Sequence, residues 1–307
     1  LERSLTGIIS RGRDGRGWND YQTEAIAMLE QGGGLPTGYA SLDRFVGGIP
    51  RKGMTILAGR PAMGKTSLLR GIIRRQVQQG HKILWFSVDQ PGGDITLLEA
   101  SRLAKLSADR VRGQQLSTVE RHRLRESIGR FVASYREQVE LHDSSLSLPK
   151  IVSGIRAAAR RGLSMVAIDY IQRVNVPGIA SGDNYGRVTE VARTLDDVSM
   201  ELGLPVVALA QLSKEIEKRG NKRPMLGDLR ESGYLEQDAK TVLGIYRDDY
   251  YAKQEDRPSQ HEGVAEVLIL KNKLGPTGKV DLKWHDAYAD FEELAASWQE
   301  QQAVRFL

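Results

Sequence analysis

Cysteine is absent from this 307-residue sequence. That excludes a disulfide framework and any thiolate-ligated metal site, and it fits an intracellular setting. No apolar run reaches the roughly 18 residues that a membrane-spanning helix needs, and no charged leader precedes a signal-like core, so the expectation is a cytoplasmic protein without membrane contact. A strong charge bias is also missing. The 44 Lys and Arg stand against 39 Asp and Glu, leaving +5, which permits a polyanionic partner without demanding one and makes the placement of charge more informative than its sum. No internal repeat is visible. What is present, 40% hydrophobic and 27% charged residues over this length, suffices to bury one large core or two modest ones.

The chain divides at a glycine cluster. Residues 3–17, RSLTGIISRGRDGRG, are rich in Arg and Gly without a sustained period, the pattern of a mobile arm. Over 19–31 a helix is predicted: Asn19 can cap it, Tyr21, Ala25 and Met28 with Ile26 and Leu29 recur at helical spacing, and Gly32 to Gly34 stop it. This helix has no core of its own and either packs back on its own domain or docks on a neighbouring copy. After Leu35, short apolar runs (MTILAG, KILWFSV, MVAIDYI, PVVALAQL, TVLGIY, EVLILK) alternate at first with helical stretches. Near-continuous apolar strands with helical crossovers predict one α/β unit from about 35 to 295, a mostly parallel twisted sheet flanked by helices. The polar tail 297–307 carries no signal. The division expected is therefore 1–34 as arm and helix and 35–307 as the main domain.

The first of these runs leads directly into GRPAMGKTS, which fits the phosphate-loop pattern G-x-x-x-x-G-K-[ST] from Gly59 to Thr66. A strand precedes it and a helical run (SLLRGIIRRQ) follows, the context the motif requires. In the loop Gly59, Arg60, Pro61, Ala62, Met63 and Gly64 the backbone N–H groups, of which Pro61 has none, can wrap a polyphosphate, Lys65 adds a point charge, and Thr66, next to Ser67, supplies a hydroxyl to Mg²⁺. ATP and Mg²⁺ are the ligands this predicts.

Three further polar residues end apolar runs, where open α/β sheets bind their ligands. Asp169, closing MVAID, is the acid expected to hold the metal, the alternative being a helix cap. Gln211, closing PVVALAQ, suits the sensing of a γ-phosphate or the orientation of water, the alternative being a glutamine satisfied by backbone. Asp89, in WFSVDQP, is assigned as general base toward an attacking water; its alternative is a strand-end acid that hydrogen-bonds the turn at Gly92 and Gly93.

In order, the stretches GLPTGYASLDRFVGGI, GRPAMGKTSLL, WFSVDQP, VAIDYIQ, ALAQLSKEIEKRGNKRPMLGDLRESGYLEQDA, IYRDDYY and LKNKLGPTG resemble the motor domain of DnaB-type replicative helicases, over about residues 19–290. KRPMLGDLRESGYLEQDA is the most specific of them. The resemblance implies a RecA-like P-loop ATPase that assembles as a homo-hexamer around single-stranded DNA, hydrolyses ATP at subunit interfaces, and admits a helicase loader as partner. It implies that Lys65 and Thr66 hold phosphates and magnesium, that Asp169 is the second-motif acid and Gln211 the γ-phosphate sensor, and that Arg230, Glu231 and Gly233 touch the DNA backbone. It makes the helix at 19–31 a strap on the adjacent subunit. It does not extend to the family's amino-terminal helical domain, so primase recruitment is not among the expectations. The residues themselves agree on DNA: Lys214, Lys218, Arg219, Lys222, Arg223 and Arg230 outnumber Glu215, Glu217 and Asp228 within one stretch, a basic loop suited to phosphates, although such a run is also the usual solvated surface loop. NVPGIASGDNYG offers a second loop of that kind.

Two departures bear on hydrolysis. The family has glutamate where this chain has Asp89, one methylene shorter. It has arginine two positions after the residue matching Lys271, where this chain has Lys273, which keeps the charge and loses the bidentate fork. Asp196, where relatives carry lysine, receives no role. The expected function is an ATP-dependent DNA helicase in replication. The alternative is a nucleotide-gated, single-stranded-DNA-binding ring with weak hydrolysis.

Overall fold

The computed structural model describes residues 18–31, 33–144, 147–180, 182–229 and 233–294. The arm at 3–17, Arg230, Glu231 and the tail at 297–307 lie outside the described residues. The expected first helix is present as α1 (Trp18–Gln31), one residue longer at its start, and it leaves Trp18, Tyr21 and Ile26 exposed. The short pair β1 (Gly34–Leu35) and β2 (Ile49–Pro50) follows, antiparallel, enclosing α2 (Ala40–Val46).

The main sheet then alternates with helices: β3 (Met54–Gly59), α3 (Lys65–Gln78), β4 (Ile83–Ser87), α4 (Gly92–Leu103), α5 (Ala108–Arg112), α6 (Thr118–Tyr135), β5 (Val139–His142), α7 (Leu148–Ala159), β6 (Met165–Asp169), α8 (Asn184–Leu202), β7 (Val206–Gln211), α9 (Gly233–Asp238), β8 (Thr241–Tyr246) and α10 (Asp248–Gln254). It closes on β9 (Val264–Asn272), β10 (Gly278–His285) and β11 (Asp290–Glu293). Nine strands join in the order β11-β10-β9-β8-β3-β7-β6-β4-β5, parallel from β8 to β5 and antiparallel from β8 through β9 and β10 to β11. This is the mostly parallel RecA-like α/β fold that the sequence predicts. All six expected strands form. β5, β10 and β11 are additional to them.

Burial on both faces explains the apolar runs. Met54, Ile56 and Ala58 of β3 enter one core with Leu84, Phe86, Val166, Ile168 and Ala208, while Leu57 enters the other with Trp85, Ala167, Val207 and Leu209. A buried ion network fastens the helix after the phosphate loop: Arg74 of α3 forks between Glu99 of α4 (3.1 Å) and Asp290 of β11 (2.7 Å). Because the central strands are parallel and in register, Gly59 lies beside Gln211 and Ser87 beside Asp169 at one edge of the sheet. No described helix is long and apolar enough to cross a membrane.

Candidate active site

The phosphate loop departs from the carboxyl end of β3 and returns as α3. Two residues in it have left-handed backbone, Ala62 (φ 64°) and Gly64 (φ 98°). Gly64 is required twice over, since a Cβ there would lie 2.7 Å from Cζ of Phe291 on β11. The loop thus rests on an aromatic floor, Phe291 with Trp284 behind it. Lys65 Nζ donates to the carbonyls of Gly59 (2.9 Å) and Arg60 (3.0 Å). Burial pushes its ammonium down to about 8, against the opposing pull of Asp169.

Thr66 and Asp169 meet: Thr66 Oγ1 donates to Asp169 Oδ2 at 2.8 Å. Asp169 is 3% exposed, and burial pushes its carboxyl up to about 6 although the Thr66 hydroxyl and Lys65 pull it down. The two side chains present a hydroxyl and a carboxylate oxygen, the hard donors that suit Mg²⁺. Among the described residues no cluster of three or more His, Asp or Glu could hold an ion unaided. That donor set fits a cation completed by phosphate oxygens, the usual manner of Mg²⁺ sites.

Asp89 lies just past β4 at the same edge, and its charge acts on both Lys65 and Asp169. Its partner is Arg173, with Nη2 3.0 Å from Oδ1. At the turn invoked in the alternative for Asp89, the Gly92 amide donates to Asp143 Oδ2 at 2.8 Å. Gln211 closes β7 beside Gly59, and the amide that grips backbone here belongs to Gln172, which donates to the Gln211 carbonyl (3.1 Å) and accepts from its N–H (3.2 Å). Neither Arg173 nor Gln172 stands out in the sequence, although both follow Asp169 within four residues.

Lys271 and Lys273 are not brought to this edge. Lys271 pairs with Val242 and Asn272 with Thr241, at the amino end of β8, whereas the phosphate loop leaves the carboxyl end of the parallel strands. Lys271 Nζ donates to the carbonyls of Glu236 (2.7 Å) and Gln237 (2.5 Å), and Lys273 Nζ to that of Asp238 (3.3 Å), so both close the carboxyl end of α9. Burial, with Lys273 nearby, holds the Lys271 ammonium below its usual range.

The basic stretch is less free than its composition suggests. Lys218 pairs with Glu215, Arg219 with Asp228 (2.8 Å), Lys222 with Glu255, and Arg223 forks onto Glu266 (2.6 Å). Its own acids Glu215 and Asp228, with Glu255 and Glu266 from later segments, neutralise much of it, leaving Lys214 exposed; Gly233 starts α9. The loop at 174–183 is pinned at its start, where Asn175 accepts from the Leu148 amide at 2.8 Å and Val174 is buried. Asp196 accepts from the Met54 amide near Lys240, and burial raises its carboxyl.

Residues 34–293 match the family described as DnaB-like helicase C terminal domain. The chain is 35% identical over 270 residues to the replicative DNA helicase DnaB of Haemophilus influenzae, covering 85% of this chain and 56% of that protein. It is 33% identical over 276 residues to that of Geobacillus stearothermophilus, covering 88% and 58%. It therefore spans a little over half the length of the curated relatives it matches. Among solved structures, one described as an ATPase domain superposes with a TM-score of 0.82 at 29% identity, over 92% of this chain and all of that one. A DnaB-like replicative helicase solved in a study of its interactions with primase gives 0.79 at 29%, over 95% of this chain and 70% of that one.

Proposed function

We propose, because this chain belongs to the DnaB-like helicase C-terminal domain family, that it is the motor of an ATP-dependent DNA helicase, with residues 1–34 as arm and strap and 35–307 as the ATPase domain. The observation that carries this is the separation of two sets of residues at opposite ends of the central strands: the phosphate-loop Lys65 with Thr66 and Asp169 at the carboxyl end, and Lys271 and Lys273 at the other. A ring of copies stacked edge to edge brings the second set of one copy to the first set of its neighbour. Six copies around single-stranded DNA, in the cytoplasm, with a loader to open the ring, is the assembly this reading implies.

Lys65 and the N–H groups of the loop from Gly59 to Gly64 bind the triphosphate, helped by the amino-terminal end of α3. Thr66 and Asp169 hold Mg²⁺, which when bound neutralises charge on the phosphates. Asp89 accepts a proton from water, with Arg173 fixing its direction, and Gln211 reads the terminal phosphate. Lys273, and Lys271 before it, offer positive charge to the neighbouring copy's phosphates; without the guanidinium fork they do so less tightly than arginine. Arg230, Glu231 and Gly233 contact the DNA backbone.

Steady-state ATP turnover across a salt series, with and without single-stranded DNA, tests the reading. It requires stimulation by DNA that weakens as salt rises, and loss of turnover in Lys65→Ala. A hexamer that binds DNA and nucleotide but does not turn over would leave only a gated binding ring.

A further inference from the structure

The side chain of Arg60 leaves the phosphate loop although its backbone stays there. The Arg60 carbonyl accepts from Lys65 Nζ at 3.0 Å and from the Met63 amide at 3.4 Å. The guanidinium turns instead to the segment after β7: Nη1 donates to the Leu212 carbonyl at 2.8 Å, and Nε and Nη2 both reach Glu217 Oε1 at 2.8 Å. The Arg60 side chain is 7% exposed and that of Glu217 47%. Burial fixes the cation, and the carboxylate is held to it. A planar fork with a carbonyl on one edge and a carboxylate on another has little freedom left.

What Arg60 grips is one end of a connected run of contacts. Glu217 stands on the 3-10 turn Lys214–Lys218, whose Ile216 is fully buried and whose start Ser213 caps by accepting from the Glu215 amide. The Ser213 amide donates to the Asp228 carbonyl at 3.0 Å, and the Asp228 carboxylate accepts from Arg219 and from the Met225 amide, each at 2.8 Å. Asp228 stands two residues before Arg230. A change in the loop's shape on holding a triphosphate thus has a buried, doubly anchored side chain through which to displace residues 213–229.

Resting on the DNA-dependent ATPase reading above, we propose that the Arg60–Glu217 bridge transmits nucleotide state from the phosphate loop to the DNA-contacting segment, with Glu217 a positioning residue that touches neither ligand. Glu217→Gln keeps the shape and removes the charge that the guanidinium grips. In the full chain, with oligo-dT as the strand, its affinity for a fluorescent ATP analogue and its DNA-free turnover stay within about twofold of the parent. Its stimulation by oligo-dT falls by about fivefold or more, the size of an ordinary coupling between two sites. The ratio of oligo-dT affinities measured with a non-hydrolysable ATP analogue and with ADP collapses toward one. Glu217→Asp, which keeps the charge on a shorter stem, recovers part of both effects, whereas a loss through misfolding alone would not follow charge in this way. Undiminished stimulation in Glu217→Gln, with an unchanged affinity ratio, overturns the bridge while the functional reading stands. A parent chain whose turnover ignores oligo-dT sinks that reading, and the bridge with it.

Discussion

Arg173 Nη2 lies 3.0 Å from Asp89 Oδ1, and Arg173 Nε donates to the Tyr170 hydroxyl at 3.1 Å. The segments after β4 and β6 are thereby tied together beside Asp169. The pair is roughly half exposed, at 57% and 46%, so it adds little to stability and its effect is one of direction. A carboxylate one methylene short of the family's glutamate has less reach, and a fixed direction matters more for it. Asp89→Asn should lower the turnover number for ATP by about 10²- to 10⁴-fold, the usual contribution of a positioned base. Nucleotide affinity, read by fluorescence titration, should not change. Equal turnover in this variant removes Asp89 from the chemistry.

The two departures from the family can be reversed together. Asp89→Glu lengthens the base toward the crevice, and Lys273→Arg restores a fork that can bind two phosphate oxygens at once. An arginine finger is worth about 10³ to 10⁵ in rate in other phosphoryl-transfer systems, so even partial recovery is readily measured. The double variant should turn over ATP faster than the parent in the presence of single-stranded DNA. No gain would mean that the chain's own pair is already adequate.

Sharing of the site between copies has its own test. Lys65→Ala destroys a copy's phosphate loop and leaves its lysines at 271 and 273. Lys271→Met does the reverse, and it also removes the donor to the Glu236 and Gln237 carbonyls, at about 1 kcal/mol of stability. Each variant alone should be nearly inactive. Mixed and reassembled, they should regain part of the parent's turnover, because some interfaces then join an intact loop to intact lysines. A mixture no more active than its parts would place Lys271 outside the neighbour's site.

Gly64 links loop shape to the sheet beneath it. Gly64→Ala puts a methyl group 2.7 Å from the Phe291 ring, on backbone already at φ 98°. It should cost about 1–3 kcal/mol in a thermal or urea melt, and weaken nucleotide binding as the loop lifts off its floor. Gly93→Ala is the matched control. No atom lies within 4 Å of a Cβ there, in the first turn of α4, and that substitution should be neutral or slightly stabilising.

How much of this was legible in the sequence follows from what each element buries. β3, β4, β6 and β8 are buried at every position, and β7 at all but Gln211, so they read as apolar runs whatever surrounds them. β5 is only half-buried, and β10 alternates between exposed and buried, so neither produces a run. β11 is four residues long and is placed by Asp290 gripping Arg74, a contact between residues more than two hundred positions apart. The site divides in the same way. Lys65, Thr66 and Asp169 are fixed by local motifs at strand ends, and register alone brings them together. Arg173, Gln172 and Glu217 act through partners from other segments, which no local pattern marks. The basic stretch divides likewise: its charge and its own acids Glu215 and Asp228 are legible, while Glu255 and Glu266, which pair with Lys222 and Arg223, are brought to it by the fold.

Asp248 supplies the pH prediction. Burial alone would raise its carboxyl, but the Arg257 guanidinium (2.7 Å), the Gln260 amide (2.7 Å) and the Ser259 hydroxyl (3.1 Å) outweigh burial and hold it well below the usual carboxylate range. A carboxyl whose folded pKa is depressed contributes stability that is fully present above the unfolded value of about 3.9, and that is lost as pH falls through the folded value. The parent's urea midpoint should therefore decline once pH drops below about 4. Asp248→Asn takes from Arg257 the more buried of its two carboxylate partners, leaving Glu255 at 2.7 Å, and should cost about 1–2 kcal/mol near neutrality. That deficit should shrink in acid, so the two midpoints converge. The effect reaches the active site, because Arg247, one residue earlier, lies buried against Asp249 and extends Nη1 to the Ala62 carbonyl at 3.5 Å. Loosening this segment should raise the Michaelis constant for ATP in Asp248→Asn while leaving the turnover number nearly unchanged. A variant equally stable at pH 7, or one whose deficit grows in acid, would contradict the assignment.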